Sequence, residues 1–476
     1  MQNQAFNPFL PGYEYIPDGE PYVFDGRVYL YGSHDRFNGA GYCLNDYVCW
    51  SAPVDALWDW RYEGVIYRKD QDPDNPGGKL CMYAPDLQKG PDGRYYLFYG
   101  VDNQGKTMVA VCDTPAGAFS YYGRVKYAEG DNVNQFDPAI FVDDDGRVFH
   151  YSGFSPRPEH IPPGRFDNKR ADGAYCYELE QDMLTVKNGP KLIAPGPTLA
   201  AGTGFDDHAF FEASSMRKIN GKYYFIYASI NYHELCYAVS DQPDGTFAFG
   251  GTLISIGDVG LNGITDKTAL NYLGNTHGSV VEIGGKWYVF YHRQTNRHGY
   301  SRQACAEEIH IQPNGSIPQA ELTSCGLNGG PLAGTGRYEA RTACHLFSKK
   351  GAGWMLSHFP ETADEHPYFT QTGDDREDNN DQYIANLRDG ACAGFKYFDL
   401  RETKKIAVEV RGDARGEMRV SYEIGGEVVA VIPVSTTGAY MEFSAAFNKP
   451  GTEKSALYFT YVGSGAVDFS TFILSP

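Results

Sequence analysis

The chain lacks any stretch near twenty apolar residues, so no segment of it is expected to span a membrane. Positive charge is scarce. Its 41 Lys and Arg stand against 60 Asp and Glu, a formal net charge of −19, which disfavours a nucleic-acid backbone or an anionic membrane as partner and suits a neutral ligand such as a sugar. Paired cysteines are missing too. The ten cysteines stand singly at 43, 49, 81, 112, 176, 236, 305, 325, 344 and 392, with no zinc-ligand spacing; buried free thiols in a reducing cytoplasm account for them. The N-terminus, Met-Gln-Asn-Gln-Ala-Phe-Asn-Pro, has no basic segment followed by an apolar run. The expected location is therefore cytoplasmic if that start is native, and secreted if a leader has been removed. No long helical period occurs, which argues against helical bundles.

Aromatic residues and glycine are abundant instead. Aromatics make up 14% of the chain, with 36 Tyr and 55 Gly, a mixture that favours turn-rich β-structure. At 476 residues the chain exceeds one ordinary core, so two domains are expected. One phrase recurs five times: Gly26-Arg-Val-Tyr-Leu-Tyr, Gly93-Arg-Tyr-Tyr-Leu-Phe-Tyr, Gly146-Arg-Val-Phe-His-Tyr, Gly221-Lys-Tyr-Tyr-Phe-Ile-Tyr and Gly285-Lys-Trp-Tyr-Val-Phe-Tyr. Asp25, Asp92, Asp145, Asn220 or Gly284 precedes each glycine, forming hairpin dipeptides that tolerate positive φ at both turn positions. Spacings of 67, 53, 75 and 64 residues suit one four-stranded sheet per repeat, and radial repetition of such sheets is a propeller. Five blades are expected.

A second regularity lies 7 to 9 residues upstream of each glycine, where one polar residue stands among apolar or small neighbours: Asp18, Asp86, Asp137, Glu212 and His277. Each precedes or begins an innermost strand, and innermost strands line a propeller's channel. Four carboxylates and an imidazole around one axis repel one another and push pKa values apart, which marks a functional site. Taken singly, each acid also reads as a turn cap or the partner of a basic residue.

Beyond the fifth repeat a Gly/Pro-rich connection follows, Gln312-Pro-Asn-Gly-Ser-Ile-Pro-Gln and Gly326-Leu-Asn-Gly-Gly-Pro-Leu-Ala-Gly. Alternating strands such as Lys405-Ile-Ala-Val-Glu-Val-Arg and Ala456-Leu-Tyr-Phe-Thr-Tyr-Val then read as an antiparallel β-sandwich, jelly-roll-like. The expected organisation is an all-β chain: a five-bladed propeller over 1–325, a linker over 326–340 and the sandwich over 341–476. The acidic run Asp374-Asp-Arg-Glu-Asp-Asn-Asn-Asp reads as a solvated loop or a calcium loop, and Trp354 as a sugar-stacking or a core residue.

The ordered set Asp18, Ala84-Pro-Asp86-Leu, Asp137-Pro, Glu212 and His277-Gly-Ser, each ahead of a Gly-Lys/Arg-x-aromatic strand, resembles glycoside hydrolase family 43 over roughly residues 7–320. The resemblance implies a five-bladed propeller that removes terminal α-L-arabinofuranosyl or β-D-xylosyl units from plant cell-wall oligosaccharides with inversion. It implies Asp18 as general base, Asp137 as the residue tuning and orienting the acid, and Glu212 as general acid. His277 matches the family's channel histidine, associated with a hydrated structural calcium; the chemistry itself requires no cofactor. Arg302, in Tyr300-Ser-Arg-Gln, resembles the arginine that approaches substrate and base, and the tail is similar to family 6 carbohydrate-binding modules.

The chemistry agrees with those roles. Inverting hydrolysis needs a protonated carboxyl at the leaving oxygen and an ionised carboxylate activating water on the opposite face, roughly 6.5–9.5 Å away. Glu212 follows Phe210-Phe211, so desolvation and a nearby Asp137 are expected to raise its pKa; Asp18 is expected to stay solvated and ionised beside Arg302. One departure leaves the base open. The usual phrase has Asp directly before Pro, whereas here Glu20 precedes Pro21 and Asp18 precedes Gly19, and both side chains share a strand face. Spacing to Gly26 favours Asp18. Asp86 reads as a contact to a sugar hydroxyl or a brace of the ring, and His34 and Asp35 as pocket lining or turn stabilisers. The inserts Glu159 to Asp172 and Pro195 to His208 are candidates to wall off one channel end for exo action. Two other classes stand beside the hydrolase: a non-catalytic sugar-binding propeller, and a related propeller enzyme acting on galactan or fructosides or by phosphorolysis.

Overall fold

Each of the five aromatic phrases forms the second strand of its own sheet, and each upstream polar phrase leads into the first. The computed structural model describes residues 3–102, 105–133, 136–160, 170–355, 365–375 and 381–476. In chain order the strands are β1–β4 (Glu20–Phe24, Arg27–Tyr31, Tyr47–Pro53, Arg61–Tyr67) and β5–β8 (Met82–Lys89, Tyr95–Val101, Thr107–Cys112, Ser120–Arg124). They continue as β9–β12 (Ala139–Val142, Val148–Ser152, Gly173–Leu179, Val186–Pro195), β13–β16 (Phe210–Ile219, Lys222–Ser229, Glu234–Ser240, Ala248–Ser255) and β17–β19 (Val280–Ile283, Lys286–Thr295, His298–Ile309). Each group is an antiparallel meander in sequence order. These are the five blades of a propeller. Blades stack face to face, so a second strand is covered on both sides; β6 is buried along its whole length, which is why those strands are aromatic throughout rather than alternating.

The hairpin turns divide into two kinds. Asp25-Gly26, Asn220-Gly221 and Gly284-Gly285 have positive φ at both positions, as the dipeptides predict. At Gly93 and Gly146 only the glycine is left-handed. There a three-bond turn, Gly93 N to Gly90 O or Gly146 N to Asp143 O, precedes the glycine, and the preceding aspartate instead accepts from the backbone: Arg94 N to Asp92 Oδ1 at 3.1 Å and Arg147 N to Asp145 Oδ1 at 3.0 Å.

The fifth blade has three named strands. Beside its last one lies the N-terminal segment, where the Asn7 amide copies a backbone pair with Ala306: Nδ2 donates to Ala306 O at 2.8 Å and Oδ1 accepts from Ala306 N at 3.0 Å. A parallel bridge between Gly19 and Gly278 joins the first and last blades. Gly278 has no room for a side chain, since an added Cβ would lie 1.9 Å from Phe290 O.

The C-terminal strands form one ten-stranded sheet curled over a single core that includes Phe395, Phe398, Phe459, Phe469 and Phe472. Its spine is the 21-residue strand Ser455–Ser475, paired along the 17-residue strand Lys405–Ser421. Residues read as a linker belong to this sheet: Leu332–Ala333 pairs with Cys392–Asp399, and Gly336–Glu339 with Ser455–Ser475. Turn-like composition concealed them because both strands are very short. All ten cysteines are free, and among the described residues no helix is long and apolar enough to cross a membrane.

Glu307 on β19 staples the N-terminal segment, the fifth blade and the connection that follows it. It accepts from Asn7 Nδ2 at 2.8 Å, Tyr291 Oη at 3.1 Å, Thr323 N at 2.7 Å and Thr323 Oγ1 at 2.6 Å. Burial outweighs these donors and pushes its carboxyl up to about 8. The folded protein thus holds a proton that the unfolded chain releases above the ordinary value of 4.5. That stability is fully present below this value and is lost as the pH rises through about 8. Glu307→Gln keeps the shape but cannot ionise, so its melting temperature should fall less than wild type between about pH 6 and about pH 8.5; parallel melting curves across that range would refute the assignment.

Candidate active site

In an antiparallel meander the start of the first strand and the turn between the second and third lie at the same end. The residues before β1, β9 and β17 therefore meet the loop 32–46 at one mouth of the channel. Asp18 immediately precedes β1 and Asp137 precedes β9; both adopt left-handed backbone, φ 58° and 48°. Such strain in non-glycine residues persists only where the surroundings enforce it. Glu212 lies inside β13 at an irregularity, where register shifts flank it and Ala213 takes φ 69°. The bulge re-aims the side chain and turns Ala213 N to donate to Asp137 Oδ2 at 3.1 Å. Asp137 is thereby tied to the strand that carries Glu212.

His277 stands between the acids. Its Nδ1 is 3.9 Å from Asp18 Oδ1 and 3.9 Å from Asp137 Oδ2, and its Nε2 is 4.0 Å from Glu20 Oε1. Burial lowers its pKa to about 4, so the imidazole is neutral near pH 7. Arg302 supplies the positive charge: Nη1 donates to Asp18 Oδ1 at 3.1 Å, while Nε and Nη2 clamp Asp35 at 2.8 and 3.0 Å. Burial opposes the guanidinium charge, but Asp18 and Asp35 hold it protonated. His292, fully buried, accepts from Asp18 N through Nδ1 at 3.2 Å. Asp18 is therefore not solvated as expected: it is 4% exposed, held by Arg302 and a backbone bond rather than by water.

Of the two readings of Asp86, the hydrogen bonds support the brace, because Oδ1 accepts from Tyr22 Oη at 2.6 Å and Leu87 N at 2.7 Å, and Oδ2 accepts from Ile140 N at 2.8 Å. Glu20 faces the channel but is 0% exposed behind Arg217, whose Nη2 lies 2.7 Å from Oε2; Ser215 Oγ donates to the same oxygen at 3.1 Å. Burial, with Asp86 adding, raises the Glu20 carboxyl to about 8 even against Arg217. One guanidinium cannot neutralise two buried carboxylates. Asp35 turns out to anchor Arg302, and also accepts from Cys43 N at 3.0 Å; His34 is structural, bonded to Asp46 O at 2.8 Å and Glu14 Oε1 at 3.0 Å. Sequence reasoning missed Arg217 and Ser215, although their alternation along β13 was a readable signal.

Aromatic rings wall the mouth in a chain of contacts from Tyr83 through Phe136, Phe154 and Phe211 to Tyr232, with centroids 4.6 to 5.7 Å apart. Tyr42 lies under Arg302, whose guanidinium carbon sits 4.9 Å from the ring centre. The C-terminal part reaches this wall as well. Met355 N donates to Leu273 O at 2.8 Å, and Tyr42 Oη contacts Met355 Sδ at 3.8 Å. Trp354 packs against the core shared by blades three and four and the core shared by blades four and five, so it belongs to the propeller contact rather than to an open face of the sandwich. Asp375 accepts from Phe37 N at 2.9 Å and Asn45 Nδ2 at 3.1 Å, capping the blade-one loop. The rest of the acidic run, 376–380, and the centre of the first insert, 161–169, lie outside the described residues. Just ahead of β13 and at the start of β15, His208, Glu234 and Cys236 sit together. Burial opposes ionisation of Glu234, but His208, Ser229 and the other donors around it prevail and bring its pKa down to about 2.

The chain matches the sequence profile of glycosyl hydrolases family 43 over residues 7–317. It belongs to this family. The enzyme is 48% identical over 489 aligned residues to a xylosidase/arabinosidase from Thermoclostridium stercorarium, covering 100% of this chain and 99% of that relative. Among solved structures it is similar to a family 43 β-xylosidase/α-arabinofuranosidase from a compost microbial metagenome, with 27% identity and a TM-score of 0.51 over 65% of this chain and 96% of that one. An arabinoxylan arabinofuranohydrolase from Bacillus subtilis shares the fold over 98% of this chain and 97% of its own, with 22% identity and a TM-score of 0.51. The protein is a glycosidase, and the chemistry of its family needs no cofactor.

The brace role of Asp86 is testable in this family 43 enzyme. Asp86→Asn should lower the melting temperature, since a buried network loses about 1–3 kcal/mol when a partner goes unsatisfied, while KM for an aryl glycoside stays within about twofold. A large rise in KM with unchanged melting would return Asp86 to the sugar.

Proposed function

We propose that this glycosidase is an inverting enzyme that releases terminal α-L-arabinofuranosyl and β-D-xylosyl units from plant cell-wall oligosaccharides. The observation that carries the reading is the convergence of Asp18 and Asp137 on the neutral His277, with Arg302 on Asp18 and Asp137 tied to the Glu212 strand. The full-length likeness to a xylosidase/arabinosidase supports the sugar class.

In this reading the Asp18 carboxylate takes a proton from water as the water oxygen bonds to the anomeric carbon. The bond from that carbon to the leaving oxygen breaks, and Glu212 gives its proton to that oxygen. Arg302 aims Asp18 through its hydrogen bond to Oδ1, and Asp137 positions Glu212 through the Ala213 amide. Glu212 is only partly buried, as a group that must reach the leaving oxygen and regain a proton from solvent requires. Asp18 is preferred to Glu20 because Glu20 is occupied by Arg217 and Ser215.

A calcium ion in the channel would meet Glu20 Oε1, buried without a hydrogen-bond partner, and His277 Nε2, 4.0 Å from it; since calcium takes about six to eight oxygen ligands, these two side chains would hold it only with water completing the shell, and it would add positive charge beneath the acids. Exo action is the expected mode, with Pro195 to His208 as the segment that would wall off one end of the channel.

Release of p-nitrophenol from the α-L-arabinofuranoside and the β-D-xyloside, side by side, tests the assignment. Wild type should act on at least one; Glu212→Gln and Asp18→Asn should each lose about 10²–10⁴-fold in kcat, and Glu20→Gln no more than about tenfold. Abolition by Glu20→Gln with Asp18→Asn active would exchange the two, and a wild type that binds sugars without turnover would favour the binding-propeller class.

A further inference from the structure

At the end of blade one opposite the catalytic mouth, the β3–β4 turn carries a tryptophan to the surface. Trp58 is 45% exposed, and it lines a cleft of 640 Å³ between that turn, the N-terminal segment and the first strands of the C-terminal sheet. The volume falls within the roughly 300–1,000 Å³ usual for ligand sites. We propose that this cleft is a second glycan-binding site, taking a neutral polysaccharide chain remote from the reaction.

Three observations specify the ligand. First, the cleft presents two aromatic rings, Trp58 and the half-buried Phe6, the latter set edge-on to Tyr338 with centroids 6.2 Å apart. An exposed indole offers a flat apolar face together with a polar N–H, a combination suited to the alternating C–H and hydroxyl edges of a sugar ring. Second, the polar groups around the rings are held in place before any ligand arrives. Arg337 is paired with Glu409 at 2.7 Å; Arg341 is paired with Glu339 and donates to Pro8 O and Leu10 O, both at 3.2 Å. Arg337 is thus the exposed planar donor of the cleft, while Arg341, buried with these bonds made, holds the N-terminal segment against the sheet and so fixes the cleft's shape without a ligand. Third, two arginines are balanced by two glutamates on a chain of net charge −19. Polyanions are disfavoured on both counts, and a neutral polyhydroxyl chain is not.

Topology separates this cleft from the catalytic residues. Asp18 lies before β1, whereas Trp58 lies in the turn after β3; in a four-stranded meander those positions are at opposite ends. Glycan held at Trp58 therefore increases the local concentration of polymer around the enzyme without touching the reaction. The identity of the sugar rests on the proposed function; the presence of a glycan site does not.

Affinity electrophoresis of the full chain in native gels containing soluble arabinoxylan, galactan or mannan tests this, with aryl-pentoside hydrolysis measured on the same preparations. Wild type should be retarded in at least one neutral glycan. Trp58→Ala should weaken that retardation by about tenfold or more, with Arg337→Ala in the same direction, while hydrolysis of the small substrate stays unchanged. Retardation by galactan or mannan alone would support the site and change its sugar. Retardation that survives both substitutions, or wild-type mobility unaffected by every glycan, would overturn the proposal. So would joint loss of retardation and hydrolysis in Trp58→Ala, which would place the contact in the catalytic channel.

Discussion

A single buried guanidinium ties the architecture to the chemistry. Arg302 comes from the last strand of the last blade, yet all its strong partners are in the first: Asp35 on both oxygens and Asp18 on one. Closing a propeller requires the ends of a long chain to meet, and here the meeting is enforced by a charge that cannot be left unpaired in a dry interior. Breaking such a pair costs about 3–5 kcal/mol because it strands the remaining charge. The same contact fixes one of the two carboxylates flanking the imidazole at the axis, so closure of the ring and orientation of the proposed base are one event.

The channel then solves a crowding problem. Several carboxyl groups face one axis, and burial penalises each charge. Arg302 serves Asp18 and Asp35, Arg217 serves Glu20 with Asp86 close by, and His277 is left neutral by desolvation. The acids are thereby sorted by partner. Asp86 is saturated by a phenol and two amides, whereas Asp18 and Asp137 sit in left-handed backbone beside His277. The β13 bulge belongs to the same arrangement, since its displaced amide reaches Asp137 next to Glu212.

The C-terminal sheet is more than an appendage. Buried polar contacts lock it to the propeller: His345 Nε2 lies 2.7 Å from Asp258 Oδ2, Lys396 reaches Asp258 at 3.3 Å and Glu321 at 3.0 Å, and Arg293 donates to Ala343 O at 3.0 Å. Such contacts need exact mutual placement, so the two parts hold each other in one arrangement. That arrangement brings Met355 against Tyr42 beside Arg302 at one end, and forms the cleft that exposed Trp58 lines at the other.

The amino-acid sequence by itself determined the blades and the identity of the channel residues, because both are local and periodic: a turn dipeptide, an aromatic strand and one polar residue at fixed distance, five times over. The same register picked out Glu212, while Arg302 drew attention only through resemblance to a family. What only the tertiary structure decided were the pairings. Asp86 and Asp18 look equivalent in sequence, yet one bonds a neighbouring blade's amide and the other an arginine 284 residues away. Strands Leu332–Ala333 and Gly336–Glu339 read as linker because their partners lie far along the chain. The cleft at Trp58 joins three segments with no common pattern. Spacing encodes which way a residue points within its own element, but only the closed ring, with its long-range contacts, decides what it meets there.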